Sequence, residues 1–190
     1  MAALVGQAFW LSVAVALTGI LHMVVVKKRW FASLATPIDG GRTLGGLPIF
    51  GDNKTWRGLL VAVAAAVVGV WIQRDVIGAR VGAVAVVDYA AANPIFLGAA
   101  LGLGAMLGEL PNSFVKRQLD VAPGTTARGA RAVVFYLWDQ VDMLMLTWPL
   151  LLPWVTPSLR LVATTFALAV TVHPLVSLIG YLVGARKSAR

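Results

Sequence analysis

Apolar residues collect in five long blocks along the chain, separated by stretches where charge, glycine and proline gather. The blocks fall near residues 4–26, 58–72, 94–110, 132–152 and 159–182. Each holds about 15 to 23 residues, and at about 1.5 Å per helical residue such lengths approach or match a hydrocarbon core of about 30 Å. The pattern predicts about five transmembrane helices and two large polar loops. The second and third blocks are short or broken by glycine, which leaves room for an extra half-helix in 76–92. The first block has no basic residue before it and is followed by Lys27, Lys28 and Arg29. That order reads as a signal anchor with its N-terminus outside, not as a cleaved signal peptide.

Composition gives the same class independently. Of 190 residues 59% are apolar and only 13% charged, and the mean hydropathy is +0.82. A soluble core of this size could not bury so much apolar surface. The expected fold is all-α and polytopic, one integral-membrane unit over residues 1–190. The chain has no cysteine, which excludes disulfides, iron–sulfur clusters and thiolate metal sites.

The net charge of +8 matters through its placement. The first polar loop carries Lys27, Lys28, Arg29, Arg42, Lys54 and Arg57; the third carries Lys116, Arg117, Arg128 and Arg131; the C-terminal tail carries Arg186, Lys187 and Arg190. The loop between them keeps only Arg74 and Arg80, and Arg160 opens the last block. By the positive-inside rule both basic loops and the C-terminus face the cytoplasm, in a multi-pass protein of the cytoplasmic membrane.

Acids inside the apolar blocks are the next signal. Asp139 and Asp142 lie in AVVFYLWDQVDMLMLTWPLLL, at a depth of about 10 to 15 Å if that block is a helix. At spacing i, i+3 they share a face. Each costs about 2.5 to 3.5 kcal/mol near a helix centre, so something must compensate them: a basic side chain, protonation of one carboxyl, or a bound metal. Two acids on one face suit Mg²⁺, which takes oxygen ligands and commonly combines one or two carboxylates with substrate phosphates. A structural buried ion pair is the plainer alternative. Glu109, in LGELPNS, is a candidate third ligand or base, or simply an interfacial helix end.

Beside Glu109 runs PNSFVKRQLD. If Pro111 opens a helix, Asn112, Ser113, Lys116 and Arg117 fall within one turn, a hydroxyl, an amide and two cations suited to phosphate. The alternative is a solvated helix in which Lys116 pairs with Asp120 at i+4. The polar stretch PIDGGRTLGGLPIFGDNKTWRG, residues 37–58, holds six of the 19 glycines. It is not a Walker A loop: Gly46 and Gly51 have the GxxxxG spacing, but Asp52, Asn53, Lys54 and Thr55 follow. Its glycines would let backbone amides approach an anion, with Lys54 and Arg57 supplying charge. In GLGAMLG the spacing fails the dinucleotide fingerprint, and Gly98/Gly102 and Gly104/Gly108 fit close helix packing better. His22 and His173 each sit singly in an apolar block and read as structural. These features describe a membrane-embedded site for a metal-bound polyphosphate.

IFGDNKTWRG, GELPNSFVKR and WDQVD, in that order, resemble the archaeal CDP-archaeol synthase family, relatives of the CDP-diacylglycerol synthases. PIDGG and HPLVSLIGYLVG extend the resemblance over most of the chain. It implies transfer of CMP from CTP to a membrane lipid phosphate, such as 2,3-diphytanyl- or geranylgeranyl-glycerol phosphate, giving a CDP-lipid and pyrophosphate for phospholipid synthesis. It further implies that Asp139 and Asp142, with Glu109, hold Mg²⁺. Lys54, Arg57, Lys116 and Arg117 would neutralise the triphosphate, with Asp139, Asp142, Lys116 and Arg117 as the catalytic set. Gly51, Asp52, Lys54, Thr55, Arg57, Asn112 and Ser113 would bind CTP. The partners implied are CTP, the lipid phosphate and the bilayer, with a homodimer as one open assembly state and no nucleic acid. Glu109 stands where the archaeal pattern has Asp, Ser177 where it tends to have Asn, and the usual Pro-Trp ending is absent. Activity on phosphatidic acid, or a small cation transporter lined by the Asp pair, are the alternative readings.

Overall fold

A computed structural model describes residues 1–77 and 84–182. Arg80, Arg186, Lys187 and Arg190, and the side chains of His173 and Ser177, lie outside the described residues. Each apolar block forms a helix: α1 (Ala2–Lys27), α2 (Trp56–Ile72), α3 (Pro94–Gln118), α4 (Ala130–Leu151) and α5 (Leu159–Leu182). The half-helix entertained for 76–92 falls partly outside the described residues. Within them α2 runs on as a π-helical turn, Gln73–Ile77, and 84–93 is mostly turns. Among the described residues three segments, Ala2–Lys27, Trp56–Asp75 and Pro94–Gln118, are long and apolar enough to cross a membrane by length and composition. Phe9, Leu60, Ile95, Phe96, Val133 and Leu152 are exposed, as side chains are when lipid is the surrounding solvent.

The organising element is α3, which packs between α2 and α4, while α1 lies on α2 and α5 closes against α1 and α4. Leu97, Leu101 and Ala105 repeat every fourth residue along α3 and are fully buried. Its two GxxxG pairs explain how it takes two close neighbours. A Cβ at Gly98 or Gly102 would stand 2.4 Å from Val67 Cα or 2.6 Å from Val63 Cα, both in α2. One at Gly104 or Gly108 would stand 2.5 Å from Thr147 Cα or 2.5 Å from the Asp142 carbonyl oxygen, both in α4. Two helical residues turn about 200°, so the pairs face opposite ways and α3 is pressed on both sides.

The expected helix start at Pro111 is corrected by the structure. Pro111 lies inside α3, which runs unbroken from the Asn93 cap, whose side chain accepts from Ile95 N at 2.9 Å, to Gln118. A proline there removes one backbone donor. The turns beyond it are held from outside by side-chain bonds to α4 and to the first loop.

The first polar loop is built, not slack. A short 3₁₀ turn, Ala32–Leu34, is followed by a hairpin of β1 (Thr43–Leu44) and β2 (Leu47–Pro48), the one strand pair among the described residues and a small addition to the all-α expectation. Gly40 and Gly41 (φ +63° and +74°), and Gly45 and Gly46 (φ +61° and +83°), sit in successive left-handed positions. Such pairs suit the tight turns whose twist matches a hairpin. Asp39 ties the ends together: its carboxylate accepts from Gly41 N at 2.9 Å, Phe50 N at 2.8 Å and Gly51 N at 3.3 Å. Desolvation pushes its proton affinity up, but these backbone N–H groups outweigh that and hold its pKa below the usual value.

Candidate active site

Asp139 and Asp142 share the face of α4 that meets α3, and one side chain spans both. The Asn112 amide nitrogen donates to Asp139 Oδ1 at 2.6 Å and to Asp142 Oδ2 at 2.8 Å. One helical turn further along α3, Lys116 forms an ion pair with Asp139 Oδ1, and its ammonium lies 5.4 Å from the centroid of the Phe135 ring. Asp142 is 5% exposed, and its other oxygen accepts from Met143 N at 2.8 Å. A second ion pair, Lys54 with Glu109, joins the first loop to α3, close enough for both charges to act on Asp142. A basic side chain thus compensates Asp139, as the ion-pair alternative anticipated, and Lys116 takes this partner in place of the Asp120 pairing of the solvated-helix alternative. Asp142 has only neutral direct donors.

That asymmetry bears on whether a metal fits. Asn112 is 2% exposed, and its carbonyl oxygen is buried with no hydrogen-bond partner. The two carboxylates are hard oxygen donors of the kind Mg²⁺ takes, and the orphaned oxygen of the amide that bridges them is a third polar group without a protein partner. Among the described residues no three or more His, Cys, Asp and Glu are grouped to hold one ion. The protein oxygens therefore suit an ion that completes its shell with phosphate oxygens and water, and Glu109 stands paired with Lys54 at the edge of the set.

The remaining candidates divide. Ser113 is buried on α3. Arg117, one turn on, points away from the acids: Nε donates to Phe50 O at 3.1 Å, and a terminal nitrogen donates to Val121 O. Its Nε lies 3.0 Å from where a Gly51 Cβ would stand, so Arg117 presses the first loop against α3. Arg117 and the Asn112–Lys116 pair therefore serve two neighbours, the first loop and α4. Thr55 caps α2, accepting from Gly58 N at 3.2 Å. Arg57 reaches Trp30 O at 3.4 Å and leaves a buried Nε unpartnered. Asp52 is exposed and is not drawn into the acid cluster.

Two residues gain a place that their sequence context did not give them. His22 Nε2 lies 3.1 Å from the position a Gly58 Cβ would take, with Glu109, Lys54 and Arg57 acting on it electrostatically. His22 therefore lies beside the charged cluster. Asp39 organises the loop that delivers Lys54. Its sequence signal was Asp-Gly-Gly, a pattern that favours a side chain bonding to its own turn.

Comparison with known proteins follows the same outline. The family described as "CarS-like: CDP-archaeol synthase" matches residues 31–189, every element but α1. The CDP-archaeol synthase of Halobacterium salinarum is 36% identical over 159 residues, covering 79% of this chain and 81% of that protein. The CDP-archaeol synthase of Methanoculleus marisnigri is 30% identical over 164 residues, covering 80% and 88%. A solved structure described as "Structural insight into an intramembrane enzyme for archaeal membrane lipids biosynthesis" superposes with a TM-score of 0.58 at 21% identity, over 88% of this chain and 92% of that one. That structure supports the helical membrane fold. With the family match spanning the polar loops, the acid pair and four of the five helices, the chain belongs to the CDP-archaeol synthase family.

Proposed function

We propose that the protein transfers CMP from CTP to the phosphate of an archaeal-type ether lipid at the membrane, releasing pyrophosphate and giving a CDP-lipid. Family membership supports this activity. The single structural observation that carries it is the Asn112 bridge, which holds the buried Asp142 carboxylate beside the partly exposed one of Asp139, next to the ion pairs of Lys116 and Lys54. A cation transporter would need the acid pair but would leave the built loop without a role.

The chemistry asks mainly for positioning and charge stabilisation. An oxygen of the lipid phosphate attacks the α-phosphorus of CTP, that oxygen–phosphorus bond forms, and the bond to the β-phosphate bridging oxygen breaks as pyrophosphate leaves. Phosphoryl-type transfers of this kind require no covalent enzyme intermediate. Asp139 and Asp142 would hold Mg²⁺, with Glu109 at the edge of the set. Bound there, the ion would supply charge neutralisation on the phosphate oxygens. Lys116 and Lys54, both already at the acids, neutralise the triphosphate and the leaving pyrophosphate, and Arg57 adds charge with its unpartnered nitrogen. Ser113 and the backbone at Gly51 position the phosphates, and Arg117 keeps the loop seated. Asp52 and Thr55 serve at the loop's rim and at the α2 cap.

In this reading both basic loops and the C-terminus face the cytoplasm, where CTP is. The lipid approaches from within the bilayer, and a homodimer is compatible with the exposed apolar faces. Purified protein supplied with radiolabelled CTP, Mg²⁺ and a panel of ether- and ester-linked lipid phosphates tests the function. A CDP-lipid from the ether substrate in preference to phosphatidic acid is expected. No CDP-lipid from any member of the panel would overturn it.

A further inference from the structure

The first loop borders a second feature, an open one, that the triphosphate does not use. A cavity of about 360 Å³ is lined by Ile38, Asp39, Gly40, Arg42, Ile49 and Phe50. Its frame is fixed by the backbone: Arg42 N donates to Asp39 O at 3.2 Å and Ile49 N to Arg42 O at 3.1 Å. The Asp39 carboxylate, with its amide bonds, forms part of the wall. Arg42 is exposed and makes no ion pair among the described residues, so its guanidinium fork is available.

The chemistry of this lining selects an occupant. A carboxylate in the wall disfavours a second phosphate or a carboxylate ligand. A free guanidinium beside it disfavours an acyl or isoprenoid chain, which the lipid side of the protein serves better. What suits Ile38, Ile49 and Phe50 together with one fixed anion and one fork of donors is a neutral, flat heterocycle with polar edges. Aromatic side chains stack on such rings, and arginine donates two parallel hydrogen bonds to paired acceptors on a base. The volume is in the range of small-molecule sites.

The pocket is also wired to the phosphate site. Asp39 accepts from Phe50 and Gly51, and Phe50 O accepts from Arg117 of α3. Lys54, three residues beyond Gly51, carries the ion pair to Glu109. A molecule seated on Phe50 therefore sits at the start of the segment whose other end meets the acids.

We propose that this pocket holds the cytosine ring of CTP, with Phe50 against its face and the Arg42 guanidinium donating to the adjacent O2 and N3 acceptors. Uracil carries a hydrogen on N3, so it cannot accept both bonds, and Arg42 becomes the residue that distinguishes CTP from UTP. The inference rests on the reading of the chain as a CTP-dependent enzyme.

The test compares kcat/KM for CTP and UTP, with an ether-lipid phosphate and Mg²⁺, in the wild type, Arg42→Ala and Arg42→Lys. The wild type should prefer CTP by about tenfold or more, the size of one good bidentate base contact. Arg42→Ala should bring the ratio close to one by raising KM for CTP, leaving KM for the lipid unchanged. Arg42→Lys, which keeps the charge and loses the fork, should behave like Arg42→Ala. A wild-type ratio retained in Arg42→Ala, or restored in full by Arg42→Lys, would overturn the base pocket while the enzyme reading stands. A wild type that turns over no nucleotide would overturn the proposed function and the pocket with it.

Discussion

The two aspartates of α4 look alike in sequence and differ in surroundings, and that difference decides what mutating them should do. Asp139 has Lys116 and Asn112 as partners, whereas Asp142 has the Asn112 amide and a backbone N–H. Asp142→Asn keeps the volume and one acceptor oxygen, so the helix pair should stay folded while turnover falls by more than about 100-fold through loss of the carboxylate charge that, in the proposed function, would hold Mg²⁺. Unchanged circular dichroism with lost CDP-lipid formation is the expected pair of readings, and retained activity would remove Asp142 from the site. Lys54→Ala removes a charge-assisted contact worth about 1.5 to 3 kcal/mol. The KM for CTP should rise by about 10- to 100-fold while that for the lipid holds; equal losses for both substrates would point to a collapsed loop. The acids were legible in the sequence because carboxylates in an apolar block are costly and demand a reason. Their partners were less so. Arg117 bonds to backbone carbonyls of Phe50 and Val121, and a carbonyl leaves no mark on the sequence.

At the level of elements, the five helices follow from the five apolar blocks, and the two GxxxG pairs announce the close packing of α3. The segment after Pro111 was misread because proline is favoured at a helix's first turn and disfavoured inside it. In this chain the following residues are pinned by α4 and by the first loop, which outweighs the one lost donor. The glycines give the sharpest test of that packing. A Cβ at Gly108 would meet the Asp142 carbonyl oxygen at 2.5 Å, whereas one at Gly19 meets nothing within 4 Å. Gly108→Ala should therefore destabilise the protein by about 1 to 3 kcal/mol through overpacking and lower activity with it. Gly19→Ala, a better helix former in open space, should be neutral or stabilising by up to about 1 kcal/mol. Thermal unfolding of both variants in detergent separates the two cases, and equal melting temperatures would contradict the packing.

For the molecule as a whole, the basic loops and the absence of cysteine combine into a direct measurement. Thr126 lies exposed between α3 and α4, and Ala91 lies exposed between α2 and α3. With no native cysteine in the chain, single substitutions Thr126→Cys and Ala91→Cys each create the sole labelling site. An impermeant thiol reagent should modify Ala91→Cys in intact cells and Thr126→Cys only after the membrane is opened, and the reverse pattern would invert the orientation. The proposed orientation rests on charge placement in the sequence alone; the way the first loop folds back on α3 did not appear there, because it depends on Asp39 capturing amides 11 and 12 residues away. The Gly108 contact reaches furthest. Gly108 stands one turn before Asn112, so the backbone approach that joins α3 to α4 also sets the span across which a single amide must touch both acids. Packing and chemistry then answer to the same atoms, and positions 104 and 108 have almost no freedom to drift, while a glycine such as Gly19 can be replaced at little consequence. A lineage that lost either small residue would have to rebuild the Asn112 bridge between the acids as well as the helix pair.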